Sequence, residues 1–138
     1  METLRRVVAP REIDVLGHMN VSAYVDAVSD AMFLLQCTLG LGREDMKRHR
    51  LTFVGARIEA DYRAELLAGD VIRMDSNVLH IGRKSIRIGH RMTRLTDDVV
   101  AFEAVSTNVL FHLDRRVSVT IPDDVRAALE RLREEGAA

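Results

Sequence analysis

Four residues within seven positions, Asp14, Gly17, His18 and Asn20 in the stretch IDVLGHMNVSAYV, put a carboxylate, an imidazole and an amide directly before a long apolar segment. A carboxylate can attack a carbonyl carbon and form a mixed anhydride, or it can take a proton from water. The first turn of a following helix adds free N–H groups and the positive end of the helix dipole. One preorganised donor of that kind is worth ~2.7–4 kcal/mol at a developing oxyanion. Plainer readings stand beside this one. Asp14 also suits a solvated loop or a turn. His18 can orient Asp14 or a substrate carbonyl, bind a metal, or pack as a loop histidine. Gly17 and a turn argue against a helical Asp14–His18 ligand pair, and no further His, Cys or Asp cluster has metal spacing, so no metal and no cofactor are expected. Asn20 reads first as an N-cap that accepts from an orphan amide. In that role it also fixes the amides of the first turn.

The elements that must carry these residues follow from periodicity. Residues 4–9 are a strand closed by Pro10. Over 21–39 the apolar positions Val21, Tyr24, Val25, Val28, Met32 and Leu35 recur at helical spacing, and Ala23, Ala27 and Ala31 widen that face. So wide an apolar arc implies a helix wrapped by other elements. Tyr24 on it packs under a sheet or forms a pocket wall. Gly40 and Leu41 read as its C-terminal stop. After a polar connection, 42–50, the period becomes two: Ala56, Ile58, Ala60, Tyr62 and Ala64 alternate with charged residues, which predicts a half-buried antiparallel strand. Glu59, Asp61 and Glu65 on its outer face are solvated or paired with Arg57 and Arg63. Three more strands follow over 71–80, 84–95 and 99–113, broken at IGRK and LTDD, and a short surface helix begins at Pro122. The order implies an α+β fold, one antiparallel sheet curled around one central helix. Such a sheet leaves an open edge and an uncovered face, which a second copy would cover.

Composition limits the function classes. The 138 residues suit a single domain, 1–138, able to bury roughly two-thirds of its unfolded surface without a disulfide or metal. A net charge of -1 with scattered basic residues gives no nucleic-acid footprint. The single Cys37 excludes an internal disulfide and suits a cytoplasmic protein. Arg5 and Arg6 have no long apolar core after them, so no signal peptide is expected. Apolar runs such as AMFLL are far short of the ~18 residues of a membrane span.

DVLGHMNVSAYV before a long helix, then ARIEADYRAELLAGDVIRM, HIGRKSIRI, AFEAVSTNVLFHLDRR and IPDDVRAAL, resembles the hotdog-fold acyl-CoA thioesterases of the 4-hydroxybenzoyl-CoA thioesterase type over nearly the whole chain. The segment GHMNVSAYV is also close to the betainyl-CoA and dehydrocarnitinyl-CoA thioesterases. The resemblance implies a hotdog fold, an acyl-CoA substrate and a homodimer, often paired again to a tetramer, with active sites at the dimer interface. It assigns Asp14 as nucleophile or general base and Gly17 as the turn glycine. Val21 would offer a backbone N–H to the thioester carbonyl. His18 and Asn20 match the spacing of plant acyl-carrier-protein thioesterases, but Leu16 and Val21 stand where that branch has asparagines.

A thioesterase must also hold the phosphates of coenzyme A. Arg83 and Lys84, or Asp114, Arg115 and Arg116, are basic turns that would meet the nucleotide, and Ser85 would face a partner's site; each also reads as a plain solvated turn. A chain that is 4% aromatic offers little for an aromatic cage around a quaternary ammonium. Small or medium acyl groups are the default. Two other functions fit the same fold: a non-catalytic acyl-CoA-binding module, in which a carboxylate beside the thioester gains little, and a hydratase, whose acid–histidine arrangement is missing.

Overall fold

In the computed structural model, which describes residues 1–137, strand β1 (Glu2–Val7) leads through a one-turn helix at Pro10–Glu12 to α1 (Val21–Thr38) and α2 (Arg43–His49). Strands β2 (Leu51–Tyr62), β3 (Val71–Ile81), β4 (Ser85–Arg94) and β5 (Val99–His112) follow, then a two-residue β6 (Val117–Ser118) and α3 (Asp123–Ala137). The strands pair antiparallel in the order β1-β3-β4-β5-β2, with β6 added against the end of β5. Strands β1 and β2 are the edges. This is the hotdog architecture that the resemblance implies.

Strand parity builds the core. Ile72, Met74 and Val78 of β3, Ile86, Ile88 and Met92 of β4, and Phe102, Ala104 and Leu110 of β5 all turn inward and are buried. Helix α1 lies against that face and buries pairs of residues one turn apart, from Ala23 and Tyr24 to Leu35 and Gln36. Asn20 caps it, its side chain accepting from the Ser22 amide at 2.9 Å. Gly40, at φ +75°, ends it, and Leu41 N–H returns to the Gln36 carbonyl at 2.9 Å. A side chain at Gly40 would meet the steric cost of the left-handed region.

Several expectations are corrected. The sheet covers one side of α1 only, and Val21, Val25, Phe33 and Leu34 stay exposed on the chain. Residues 43–49 are helical rather than a connection. Acids Glu44 and Asp45 open α2 and Lys47, Arg48 and His49 close it, a charge order that suits the helix dipole. Strand β2 begins five residues before Ala56, because Leu51–Val54 (LTFV) is a buried or half-buried run without polar alternation; a bulge between Gly55 and Arg57 then starts the exposed part. Strand β1 covers Glu2–Val7 rather than 4–9, as its pairing with β3 ends at Val7↔Val71. Helix α3 is not a short surface helix: Val125, Ala128 and Leu129 are buried against Ile121 and the far end of the sheet. Arg57 pairs with Glu59 (3.4 Å) and Arg63 with Asp61 (3.8 Å), as the outward alternation implies. Among the described residues no single helix is long and apolar enough to cross a membrane.

Polar residues occupy inward positions at the middle of the sheet. Ser76, His90, Ser106 and Asn108, each at most 5% exposed, sit where β3, β4 and β5 otherwise carry core residues. A hydrogen-bonded chain joins them across the strands: Thr3 Oγ1 to Ser76 Oγ (2.7 Å), Ser76 Oγ to His90 Nδ1 (2.8 Å), His90 Nε2 to Ser106 Oγ (2.9 Å), and Asn108 Nδ2 to Ser106 Oγ (2.9 Å). Burial pushes the His90 imidazolium down to a pKa of about 4 from the ordinary 6.5.

Between those two values the unfolded chain binds a proton that the folded chain refuses, so stability is full above pH 6.5 and falls as the pH drops toward 4. Urea unfolding at both ends of the window should show about 3 kcal/mol of acid destabilisation attributable to His90. His90→Gln should lose that share of the pH dependence; equal slopes for the two proteins would refute it.

Candidate active site

The loop before α1 is held from three sides. Arg6 of β1 grips Glu12 with two bonds (2.5 and 2.7 Å), and this pairing lowers the Glu12 pKa. The Glu12 carbonyl accepts from the Asn20 amide at 2.8 Å. Met19, buried, donates its N–H to Leu66 O at 2.7 Å and pairs across the loop with Ile13. Between these anchors Asp14 to His18 form a tight turn in which Gly17 N–H donates to Asp14 O at 3.0 Å. Gly17 has φ +86°, a conformation that glycine adopts without steric cost. Val15 and Leu16 at the tip are exposed.

Both Asp14 oxygens are engaged. Oδ2 accepts from Asn20 Nδ2 and Oδ1 from the Leu16 amide, each at 2.8 Å. The Asn20 bond, then the Leu16 bond, hold the carboxyl below its usual pKa, so it is ionised at neutral pH. Asn20 therefore works at both ends of its side chain: the nitrogen holds Asp14, and the oxygen caps α1 through the Ser22 amide and hydroxyl (2.9 and 2.8 Å). Cap and carboxylate form one unit. In the first turn of α1 the Ser22 amide is taken by Asn20 Oδ1 and the Ala23 amide by the Asn20 carbonyl. The Val21 N–H has no acceptor among the described residues, and Val21 is exposed.

The His18 ring makes no hydrogen bond to Asp14 among the described residues: the His18 carbonyl accepts from the Asp14 N–H at 3.2 Å, and the ring Nδ1 donates to the Met19 carbonyl at 3.3 Å. It lines a small hollow of about 260 Å³ with Val21, Tyr24, Tyr62, Arg63 and Glu65. Tyr24 packs and lines at once: buried, with its ring 5.1 Å from Tyr62 and 5.0 Å from Phe102, it also forms the hollow's inner wall. Burial raises its phenol pKa. Among the described residues no group of three His, Cys, Asp or Glu is arranged to hold a metal ion.

Arg83, Lys84 and Ser85 are not near these residues within one chain. They form the turn into β4, whereas Asp14 and Met19 sit by Leu66, beside the far ends of β3 and β4. The ten residues of β4 separate the two ends by roughly 30 Å. The second basic turn lies with the first: Leu110 N–H donates to Lys84 O, and Arg50 both pairs with Asp114 (3.0 Å) and accepts at its carbonyl from Leu113 N–H. Arg83 and Lys84 form no ion pair among the described residues. A wide hollow on the outer face of the sheet carries charges that are already matched, Arg73 with Asp75 (2.7 Å) and Arg91 with Glu103 (3.5 Å).

A longer groove runs between α1 and β2, about 730 Å³, walled by Val25, Val28, Met32, Phe33, Phe53 and Ile58. Ser106 and Asn108 lie on its floor. The sequence reading did not single out these two residues or His90. The available signal was strand parity: polar residues recurring at core positions of two neighbouring strands.

Residues 8–129 match the model of the thioesterase-like superfamily. No curated protein sequence matches the chain. Among solved structures, a Staphylococcus aureus protein, SAV2348, in complex with CoA superposes with a TM-score of 0.90 at 18% identity, covering 97% of this chain and 85% of that one. YbaW, a probable thioesterase from Escherichia coli, gives 0.77 at 21% identity, with 94% and 96% covered. The gentisyl-coenzyme A thioesterase BH1999 gives 0.82 at 17% identity, with 91% and 98% covered. At these identities the likeness is one of fold.

The double role of Asn20 makes a specific prediction. Asn20→Ala should raise the Asp14 pKa toward that of an ordinary aspartate, read by carbon NMR titration, and should cost about 1 kcal/mol of stability through the lost cap. An unchanged Asp14 titration would show that Asn20 does not hold the carboxylate.

Proposed function

The chain belongs to the thioesterase-like superfamily and is by that membership a thioester hydrolase; on that premise we propose that its substrate is a small or medium acyl-CoA, cleaved at the Asp14 loop. The observation that carries this reading is the joining of Asp14 to the start of α1 through one asparagine. The carboxylate either attacks the thioester carbon, giving a mixed anhydride that water then opens, or takes a proton from the attacking water. In both routes negative charge develops on the carbonyl oxygen. The Val21 N–H, with the dipole of α1 behind it, stabilises that charge. Electrons leave with the CoA thiolate, which is protonated on release. Asn20 keeps Asp14 ionised and fixed relative to Val21. His18, in the adjoining hollow, borders the thioester rather than the carboxylate.

The working form proposed is a homodimer, with a second pairing to a tetramer compatible with it. Strand β2 is an open edge whose stretch Gly55–Glu59 is exposed, and Ile58 and Tyr62 on it continue the exposed apolar side of α1. An isologous two-fold pairing of one edge strand with itself is antiparallel. It brings the beginning of β2 in one chain to the end of β2 in the other. The Arg83–Lys84 turn of the partner thus approaches Asp14, and its cations meet the phosphates of CoA. Each site draws its acid from one chain and its phosphate contacts from the other.

With purified protein and a panel of acyl-CoAs, thiol release should follow addition of at least one substrate, and Asp14→Asn should lower kcat/KM by about 10²–10⁴-fold while staying folded. Tight acyl-CoA binding without thiol release would point instead to a binding module. Separately, Arg83→Ala with Lys84→Ala should raise KM about tenfold for an acyl-CoA and leave it unchanged for the same acyl group on N-acetylcysteamine, which carries no nucleotide. An equal effect on both thioesters would remove these residues from CoA binding.

A further inference from the structure

The buried polar chain beneath α1 ends in the groove, and the direction of its hydrogen bonds decides what the groove offers. Thr3 Oγ1 has one proton and two acceptors in reach, the Met74 carbonyl at 3.2 Å and Ser76 Oγ at 2.7 Å, so the direction is set from the open end, where Asn108 Nδ2 donates to Ser106 Oγ and Met32 Sδ. With Asn108 so placed, every hydroxyl proton of the chain finds an acceptor when Thr3 donates to Met74 and its oxygen receives the Ser76 proton. Ser76 has then given its one proton and must receive His90 Nδ1–H. A neutral imidazole carries a single proton, which leaves Nε2 as the acceptor of the Ser106 hydroxyl. The Ser106 oxygen is therefore an acceptor toward Asn108, whose Nδ2 also points at Met32 Sδ, 3.7 Å away. The Asn108 amide is locked with its nitrogen inward. Its Oδ1 has no partner among the described residues. Since no fully buried side-chain polar atom among them lacks one, that oxygen opens on the groove. Asn108 is itself only 4% exposed, so the groove floor presents a hydrogen-bond acceptor between the apolar walls of Val28, Met32 and Phe53.

Resting on the acyl-CoA hydrolase reading above, we infer that this groove takes the acyl group and selects one bearing a hydroxyl, whose proton Asn108 Oδ1 accepts. The requirement for a donor follows from the locked amide. The donor is neutral because no acidic side chain lines the groove, and a buried ammonium would lack a counter-charge there. An unsubstituted acyl group that fills the groove would strip water from Oδ1 and give nothing back. Sites built to bond a substrate hydroxyl reject the analogue without it far more strongly than an apolar pocket rejects a change of one methylene. Ser106 and His90 act through Asn108 and are positioning residues.

The test uses matched acyl-CoA pairs that differ by one hydroxyl, placed on the β, middle or terminal carbon of an aliphatic chain or on an aromatic ring, so that the arms separate aliphatic from aryl hydroxyls. At least one pair should favour the hydroxyl member about tenfold or more in kcat/KM. Asn108→Leu should remove that preference, and Ser106→Ala, which frees the amide to turn, should weaken it. The same pairs made as non-hydrolysable thioethers, measured by calorimetry, separate this inference from the hydrolase reading: a hydroxyl preference in binding without any thioester turnover would sink the hydrolase and leave the groove assignment standing. Nitrogen NMR of labelled histidine supplies a readout independent of substrate, with His90 expected in the Nδ1–H tautomer at neutral pH. Near-equal rates and affinities within every pair, a preference that survives Asn108→Leu, or a proton on His90 Nε2 would each overturn it.

Discussion

The seating of α1 on the sheet is the constraint from which the rest follows. Ala23, Ala27 and Ala31 are 6% exposed or less and bring the helix backbone close to the strands. The larger residues beside them, Tyr24, Val28, Met32 and Leu35, fill the space on either side, each worth about 1.5–3 kcal/mol when fully buried. A helix held by such a stripe cannot turn on its axis without exposing it. Its first residue is therefore fixed relative to the loop that Arg6, Glu12 and Leu66 anchor, and Asn20 can reach Asp14 and Ser22 together. At the other end the same stripe sends Gln36 to the Phe53 amide (2.9 Å) and the Thr52 hydroxyl (3.0 Å), which ties β2 to the helix. The groove exists because that tie holds β2 alongside α1.

The length of the sheet imposes the second constraint. A strand of ten residues keeps the carboxylate at one end and the cations of the Arg83–Lys84 turn at the other. A CoA thioester needs both, since its reacting carbon and its phosphates lie at opposite ends of an extended molecule. In the proposed assignment the carboxylate and the cations that serve one substrate come from different chains. The open β2 edge and the apolar side of α1 left by a single sheet fit a two-fold partner that resolves this, and the proposed dimer would also roof the groove above Asn108.

Much of this was legible in the residues. The helical spacing from Val21 to Leu35 located α1 to within a residue, because its core-facing residues recur with little interruption. Asn20 as a cap and Gly40 as a stop followed from local chemistry that tertiary structure did not override. The Asp14 loop was legible as a concentration of polar types where a buried helix begins. What could not be read was set by non-local contact. Leu51–Val54 has no alternation, since it is covered on both sides, and so the start of β2 was hidden. Helix α2 is stabilised by charge order and short-range pairs that resemble a polar connector. His90 and Asn108 look like ordinary polar residues within strands; only the pairing of β3, β4 and β5 reveals that they share one buried line. That Asn20, rather than His18, holds Asp14 is likewise a matter of loop geometry that spacing alone leaves open.

The central claim is that each active site combines the acid of one chain with the cations of the other, and subunit mixing tests it most directly. Asp14→Asn protein and protein carrying Arg83→Ala with Lys84→Ala are each impaired in both sites of their own dimers. Unfolded together and refolded in equal amounts, they should form heterodimers in which one site regains an intact Asp14 and an intact basic turn. Random pairing restores about a quarter of the wild-type sites, so acyl-CoA hydrolysis at low substrate should rise to about that fraction of the wild-type rate. Activity no greater than the average of the two parents would place acid and cations on the same chain and contradict the account.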